Sequence, residues 1–115
     1  MATAVATVVA LRRGRVLTVG EPRGGGVAAL PGGKVEPGET AREAAARELR
    51  EETAVAVEPE RLLDLGLRLA GTPAGVTLIP FAAFDPPPAS GAGELRSRTR
   101  SICVCWLMTS QTSTA

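Results

Sequence analysis

The segment Thr40–Thr53, TAREAAARELREET, constrains this chain more than any other part of it. It contains no glycine or proline and is built mostly from Ala, Glu, Arg and Leu, the strongest helix formers. Thr40 followed three residues later by Glu43 is a capping box, so the spacing predicts a helix that starts at Thr40. The rest of the chain is short apolar runs punctuated by most of its 13 glycines and 9 prolines. Strand and loop, not further helix, is what such runs predict.

Thr3–Leu11 and Arg15–Val19 flank Arg12-Arg13-Gly14 and read as a β-hairpin, the first strand buried on both faces. Gly20–Gly26, with three consecutive glycines, reads as a loop. Val27–Leu30 reads as a short strand entering a second loop, Pro31 to Glu39. Leu62–Ala70 and Val76–Ala83 read as strands separated by a turn at Gly71-Thr72-Pro73. Asp85–Gly93 is a proline-stiffened loop, and Ile102–Met108 a last strand. The length, 115 residues, suits one domain. Residues 1–96 form its body. Residues 97–115 switch to Ser, Thr, Cys and Met and read as a disordered or out-of-frame tail.

Composition narrows the chemistry. There is no histidine and no tyrosine, which removes Ser-His and Cys-His nucleophiles, His-rich metal sites and imidazole acid/base catalysis. Thirteen Lys and Arg against 12 Asp and Glu leave a net charge of +1, with no basic stripe for a nucleic acid. Phe81, Phe84 and Trp106 are the only aromatics, too few for a base-stacking platform. Cys103 and Cys105 lack the further ligands of a metal site and read as free thiols in a reducing compartment. The N-terminal apolar run is followed, not preceded, by Arg12, Arg13 and Arg15, and is too short to span a bilayer. The expectation is a cytoplasmic protein. Nineteen alanines make the core thin and its stability marginal.

The helix carries the distinctive pattern. At 100° per residue Glu48, Glu51 and Glu52 cover one third of the circumference, the sector that also holds Ala41, Ala44 and Ala45 and borders Leu49. Glu43, Ala46, Arg47 and Arg50 take the other side. An ordinary solvated helix with Glu43–Arg47 and Arg47–Glu51 ion pairs accounts for part of this. It does not account for three like charges on the packable face, which repel without a counter-cation. A divalent metal with oxygen ligands is the natural remedy. The preceding loop, Leu30-Pro31-Gly32-Gly33-Lys34-Val35-Glu36-Pro37-Gly38-Glu39, lets backbone groups at Gly32 and Gly33 approach a ligand closely. It is not a P-loop: the earlier glycine is Ala28 and the hydroxyl after Lys34 is Val35.

Gly33, five residues, Glu39, seven residues, Arg47-Glu48-Leu49, one residue, Glu51-Glu52, one residue, Ala54-Val55 resembles the Nudix box, G-x5-E-x7-R-E-U-x-E-E-x-G-U with U aliphatic. Ala54 is the one departure, standing where the box has glycine. Chance would produce such a match on the order of once in a million chains of this size. The resemblance implies an α/β (α+β) fold, a mixed β-sheet sandwiched with helices. The family's C-terminal helix is not foreseen after Trp106. An uncovered apolar sheet face would favour a homodimer.

The same resemblance implies hydrolysis, with Mg²⁺ or Mn²⁺, of a pyrophosphate bond in a nucleoside diphosphate linked to another group. Glu48 and Glu52 become the principal metal ligands. Glu51 joins them directly or through water, and the Gly32 carbonyl completes the shell. Arg47 orients the glutamates, Glu39 braces the loop at Gly33 against the helix, and Glu94 is the sole later-loop candidate for the general base, ranked below Glu48. Diadenosine polyphosphate hydrolases use a tyrosine that this chain lacks, and the signature of NADH pyrophosphatases is missing. Pro73 lies near, not at, the place of the proline that marks ADP-ribose pyrophosphatases, and Ala29 stands where a large base-stacking side chain often precedes the loop. Elimination leaves a nucleoside or deoxynucleoside triphosphate. The alternative is a catalytically silent nucleotide-binding or regulatory module, inactive through an incomplete C-terminus.

Overall fold

The computed structural model describes residues 3–20, 29–70, 75–87 and 103–108. Along them run β1 (Thr3–Arg12), β2 (Arg15–Gly20), β3 (Gly32–Lys34), α1 (Ala41–Thr53), β4 (Leu63–Asp64), β5 (Val76–Phe84) and β6 (Cys103–Met108), with a 3-10 turn at Pro59–Arg61. The strands form one sheet in the order β4-β5-β1-β2-β6, and β3 pairs with β1 off this path. β1 and β5 are parallel; the other pairs are antiparallel. The protein is thus a mixed α+β fold, as the sequence predicts.

The β1–β2 hairpin closes at Arg12↔Arg15 through Arg13 (φ 51°) and Gly14 (φ 74°). Two successive positive φ values give the right-handed ribbon twist that a two-residue hairpin needs. β1 is not buried equally on both faces, contrary to expectation. Ala6, Val8 and Ala10 are wholly inaccessible, while the intervening residues are half-buried. Only the first set lies under the helix, against Ala44, Ala45, Leu49 and Phe81. Seven of the 14 buried apolar residues among those described are alanine, so this core is built on close approach rather than bulk.

Three further expectations change. Pro31–Lys34 is not simply loop, because Gly32–Lys34 pairs with Val5–Thr7 of β1. β1 is therefore shared along one edge, with β3 at its N-terminal half and β2 at its end. Leu62–Ala70 is not a continuous strand: Leu63 and Asp64 pair with β5, and contact resumes only at a single bridge, Leu69↔Leu78. Between them Gly66 turns left-handed (φ 75°) and donates its N–H to Asp64 Oδ1 at 2.8 Å, which bulges the edge. Of Val27–Leu30, Val27 and Ala28 lie outside the described residues, and Ala29 makes one bridge to Val19. The strand expected at Ile102–Met108 is present as β6, six residues in register with β2. The Gly71-Thr72-Pro73 turn lies outside the described residues, as do nearly all of the Gly20–Gly26 loop, most of the Asp85–Gly93 loop and the tail apart from β6. No helix among the described residues is long and apolar enough to cross a membrane.

Candidate active site on the glycine strand and the glutamate helix

The helix begins and ends as its sequence dictates. Thr40 Oγ1 accepts from the Glu43 N–H at 3.1 Å, and Glu43 Oε1 accepts from the Thr40 N–H at 2.9 Å. Glu43 is thereby committed to the cap and makes none of the described ion pairs with Arg47. At the other end Ala54 is left-handed (φ 63°, ψ 10°) and its N–H reaches the Arg50 carbonyl. Here the family pattern has glycine, the residue that adopts this conformation without strain.

Around the helix the three glutamates are not equivalent. Glu48 and Glu52 are half-buried beside Ala45 and Leu49, whereas Glu51 is exposed. The wheel places all three on the packable face; Glu51 instead lies at its solvent margin. Ala46, assigned to the outer side, is buried, because the chain returns past it through Ala56–Pro59. That return leaves a cavity of about 250 Å³ lined by Glu43, Ala46, Arg47, Arg50 and Ala56–Pro59, on the flank away from Glu52.

The strand register aims the glycine loop at the helix. The Val8 N–H donates to the Pro31 carbonyl and the Val35 N–H to the Ala4 carbonyl, so alternate residues of β3 bond to β1. Gly32, opposite Thr7, falls between these bonds, and its N–H and C=O both point away from β1. Its N–H donates to Glu52 Oε1 at 2.9 Å. Glycine is required here because a Cβ would strike the Ala6 carbonyl. At Gly33 a Cβ would strike the Glu48 carboxylate, which rests directly on the glycine backbone. The two glycines thus each receive one of the two half-buried carboxylates.

Arg47 ties the loop to the helix. Its Nε donates to Glu39 Oε2 at 2.7 Å and its NH2 to Glu39 Oε1 at 3.0 Å, a two-pronged pair. NH1 donates to Glu48 Oε2 at 3.0 Å and Glu51 Oε1 at 3.3 Å, and NH2 to the Lys34 carbonyl at 3.2 Å. Glu36 stands 4.0 Å away. One guanidinium therefore faces four carboxylates, leaving the cluster strongly negative. Hydrogen bonding from Arg47 holds the Glu39 carboxyl below its ordinary pKa. Burial pushes Glu48 up, against the pull of Arg47, and pushes Glu52 up, against the Gly32 N–H. Both carboxylates are short of cationic compensation.

The structure brings together Gly32, Gly33, Glu39, Arg47, Glu48, Glu51 and Glu52; Glu94 lies outside the described residues. The sequence reading missed the Gly32 amide, the Lys34 carbonyl and Glu36. Only Glu36 left a trace, as a second acid three residues before Glu39. Among the described residues no three acidic side chains are already gathered into a metal cluster. The donors nevertheless suit a divalent cation: they are all oxygen, two are poorly compensated carboxylates, and a Gly32 carbonyl points the same way as the amide that holds Glu52.

The family model for the NUDIX domain matches residues 1–105. No match is found among curated proteins. Among solved structures, a MutT/nudix family protein from Enterococcus faecalis is 23% identical with a TM-score of 0.67, the alignment covering 92% of this chain and 43% of that one. A NUDIX hydrolase from Nitrosomonas europaea is 21% identical with a TM-score of 0.69, covering 93% and 72%. A MutT NUDIX hydrolase from Burkholderia pseudomallei is 25% identical with a TM-score of 0.64, covering 94% and 84%. The chain thus spans less than half the length of the first of these and most of the other two.

Proposed function

Since the chain belongs to the Nudix domain family, we propose that it is a divalent-metal-dependent hydrolase of the pyrophosphate bond in a nucleoside diphosphate joined to another group. One observation carries this reading: Gly32 and Gly33 each seat one of the two desolvated carboxylates, Glu52 and Glu48. Glu48 and Glu52 would hold Mg²⁺ or Mn²⁺, with Glu51 and the Gly32 carbonyl as further donors. A cation held by these residues would supply neutralisation of the pyrophosphate charge and a water of lowered pKa.

The protein's own residues do the positioning. Gly32 fixes one oxygen of Glu52 and leaves the other free. Arg47 holds Glu48 and Glu51 from one side and anchors to Glu39 and the Lys34 carbonyl, so it ties the loop to the helix. Glu48, half-buried and held through Oε2 by Arg47, is the first residue to test as acceptor of a proton from an attacking water. A nucleoside or deoxynucleoside triphosphate is the first substrate to try. The purified chain, incubated with Mg²⁺ and a panel of nucleotides, should release a nucleoside monophosphate with pyrophosphate or a phosphorylated partner, and chelation should stop it. A folded protein with no turnover on any member of the panel would mean a binding module instead.

A further inference from the structure

Three arginines crowd the tip of the β1–β2 hairpin. Arg12 and Arg15 are directly opposed as its closing pair, and Arg13 sits in the turn between them. Side chains so opposed share one face of the sheet with Cβ atoms about 4.5–5.5 Å apart, and like charges there destabilise the pair. Arg13 adds to this. At φ 51° beside Gly14 at φ 74° it occupies a turn that favours Asn or Asp, and an aspartate there would have relieved the repulsion. No described acid does so. Among the described residues the ion pairs all belong to Arg47 or Arg68. Asp85, whose N–H donates to the Leu11 carbonyl at 2.7 Å, stands beside the tip and makes none of these pairs.

A surface that gathers positive charge against the preference of its own turn is complementary to a compact anion. The tip lies five residues of β1 beyond Thr7, the residue opposite Gly32, which is about 16 Å, so it is separate from the glutamate cluster. We propose that the tip binds closely spaced phosphates, as in a free polyphosphate chain, at a site distinct from the active site. Arginine forks suit phosphate oxygens, and a chain with a charge on each phosphate compensates several guanidiniums at once. A bilayer fits less well. Arg12 falls on the side of β1 that holds Ala6, Val8 and Ala10, whereas Leu11 and its neighbour Phe84 fall on the other, so no apolar anchor accompanies the arginines. Stable attachment to a membrane needs such a second signal.

Isothermal titration calorimetry of the metal-free full chain with sodium tripolyphosphate at low salt tests this, since without a cation the acidic active site repels the ligand. The parent should bind with a Kd below about 1 mM, and the affinity should fall steeply with added salt. Arg12→Gln and Arg15→Gln should each weaken binding by about tenfold, while Arg61→Gln, at an exposed arginine outside the tip, should not. Without ligand, Arg15→Gln should raise Tm by about 1–4 °C, because a like-charge pair is gone. A parent that does not bind overturns the proposal. So does an equal loss in Arg61→Gln, which would mean general attraction to positive charge, and so does an Arg15→Gln that melts at or below the parent. Vesicles of phosphatidylserine and phosphatidylcholine that bind the chain when tripolyphosphate does not would put a bilayer there instead and overturn it as well.

Discussion

Ala54→Gly should stabilise this protein. Ala54 closes α1 at φ 63° and ψ 10°, where an alanine Cβ crowds the neighbouring carbonyl at a cost of about 1–2 kcal/mol. Glycine removes that strain but loses about 0.5–1 kcal/mol more chain freedom on folding. The difference is a gain of about 0.5–1 kcal/mol. The backbone has little room to relax and hide the effect. The Ala54 N–H is bonded to the Arg50 carbonyl, and buried Thr53 bridges the Leu49 carbonyl and the Val55 N–H. For a domain of this size such a gain raises Tm by about 2–5 °C. Urea unfolding of parent and variant should show a higher midpoint with an unchanged slope. Ala54→Val, which adds a branched Cβ at the same φ, should lower the midpoint. An Ala54→Gly midpoint equal to or below the parent's would refute a left-handed Ala54 in solution.

Other substitutions probe the site. Gly33→Ala drives the Glu48 carboxylate off the glycine strand; kcat should fall about 100-fold while far-UV circular dichroism is unchanged. Arg47→Lys keeps the charge but loses the fork that grips Glu39, and should lower stability by about 1–2 kcal/mol and kcat by about tenfold or more. The Glu39 pKa is lowered in the fold, so its contribution is present above the ordinary value of 4.5 and is lost as pH falls through the lower folded value. Glu39→Gln should therefore reduce stability at pH 7 and flatten its decline in acid, followed by thermal melts across pH. Glu48 and Glu52 have the opposite sign, because a raised folded pKa contributes stability at low pH that disappears as pH rises. Without metal, Glu52→Gln should melt above the parent at pH 7.

The helix was legible because all its signals are local. Thr40 and Glu43 cap each other, the body lacks Gly and Pro, and Ala54 marks the end by departing from a motif. β3 was not legible, since Gly-Gly-Lys has no strand propensity and becomes a strand only because β1 offers it a partner. The break in Leu62–Ala70 hid for a related reason: the leucine alternation reads as strand, and the turn depends on the Asp64 carboxylate folding back to Gly66. Within the site, spacing named the charged residues but not their contacts. That Glu51 is the exposed member of the three, and that Gly32 presents its amide to Glu52, follow from helix rotation and strand register, which a wheel drawn on one segment does not contain.

The central claim is that Glu52, seated on the Gly32 amide, holds the catalytic cation with Glu48. The most direct test is turnover of the best nucleotide from the panel as Mg²⁺ is titrated, in parent and Glu52→Gln. This variant keeps the shape and the hydrogen-bond acceptor and removes only the charge. The account predicts Mg²⁺-dependent hydrolysis in the parent and a loss of at least about 100-fold in the variant, not recovered at saturating Mg²⁺. Equal activity in the two proteins would contradict it.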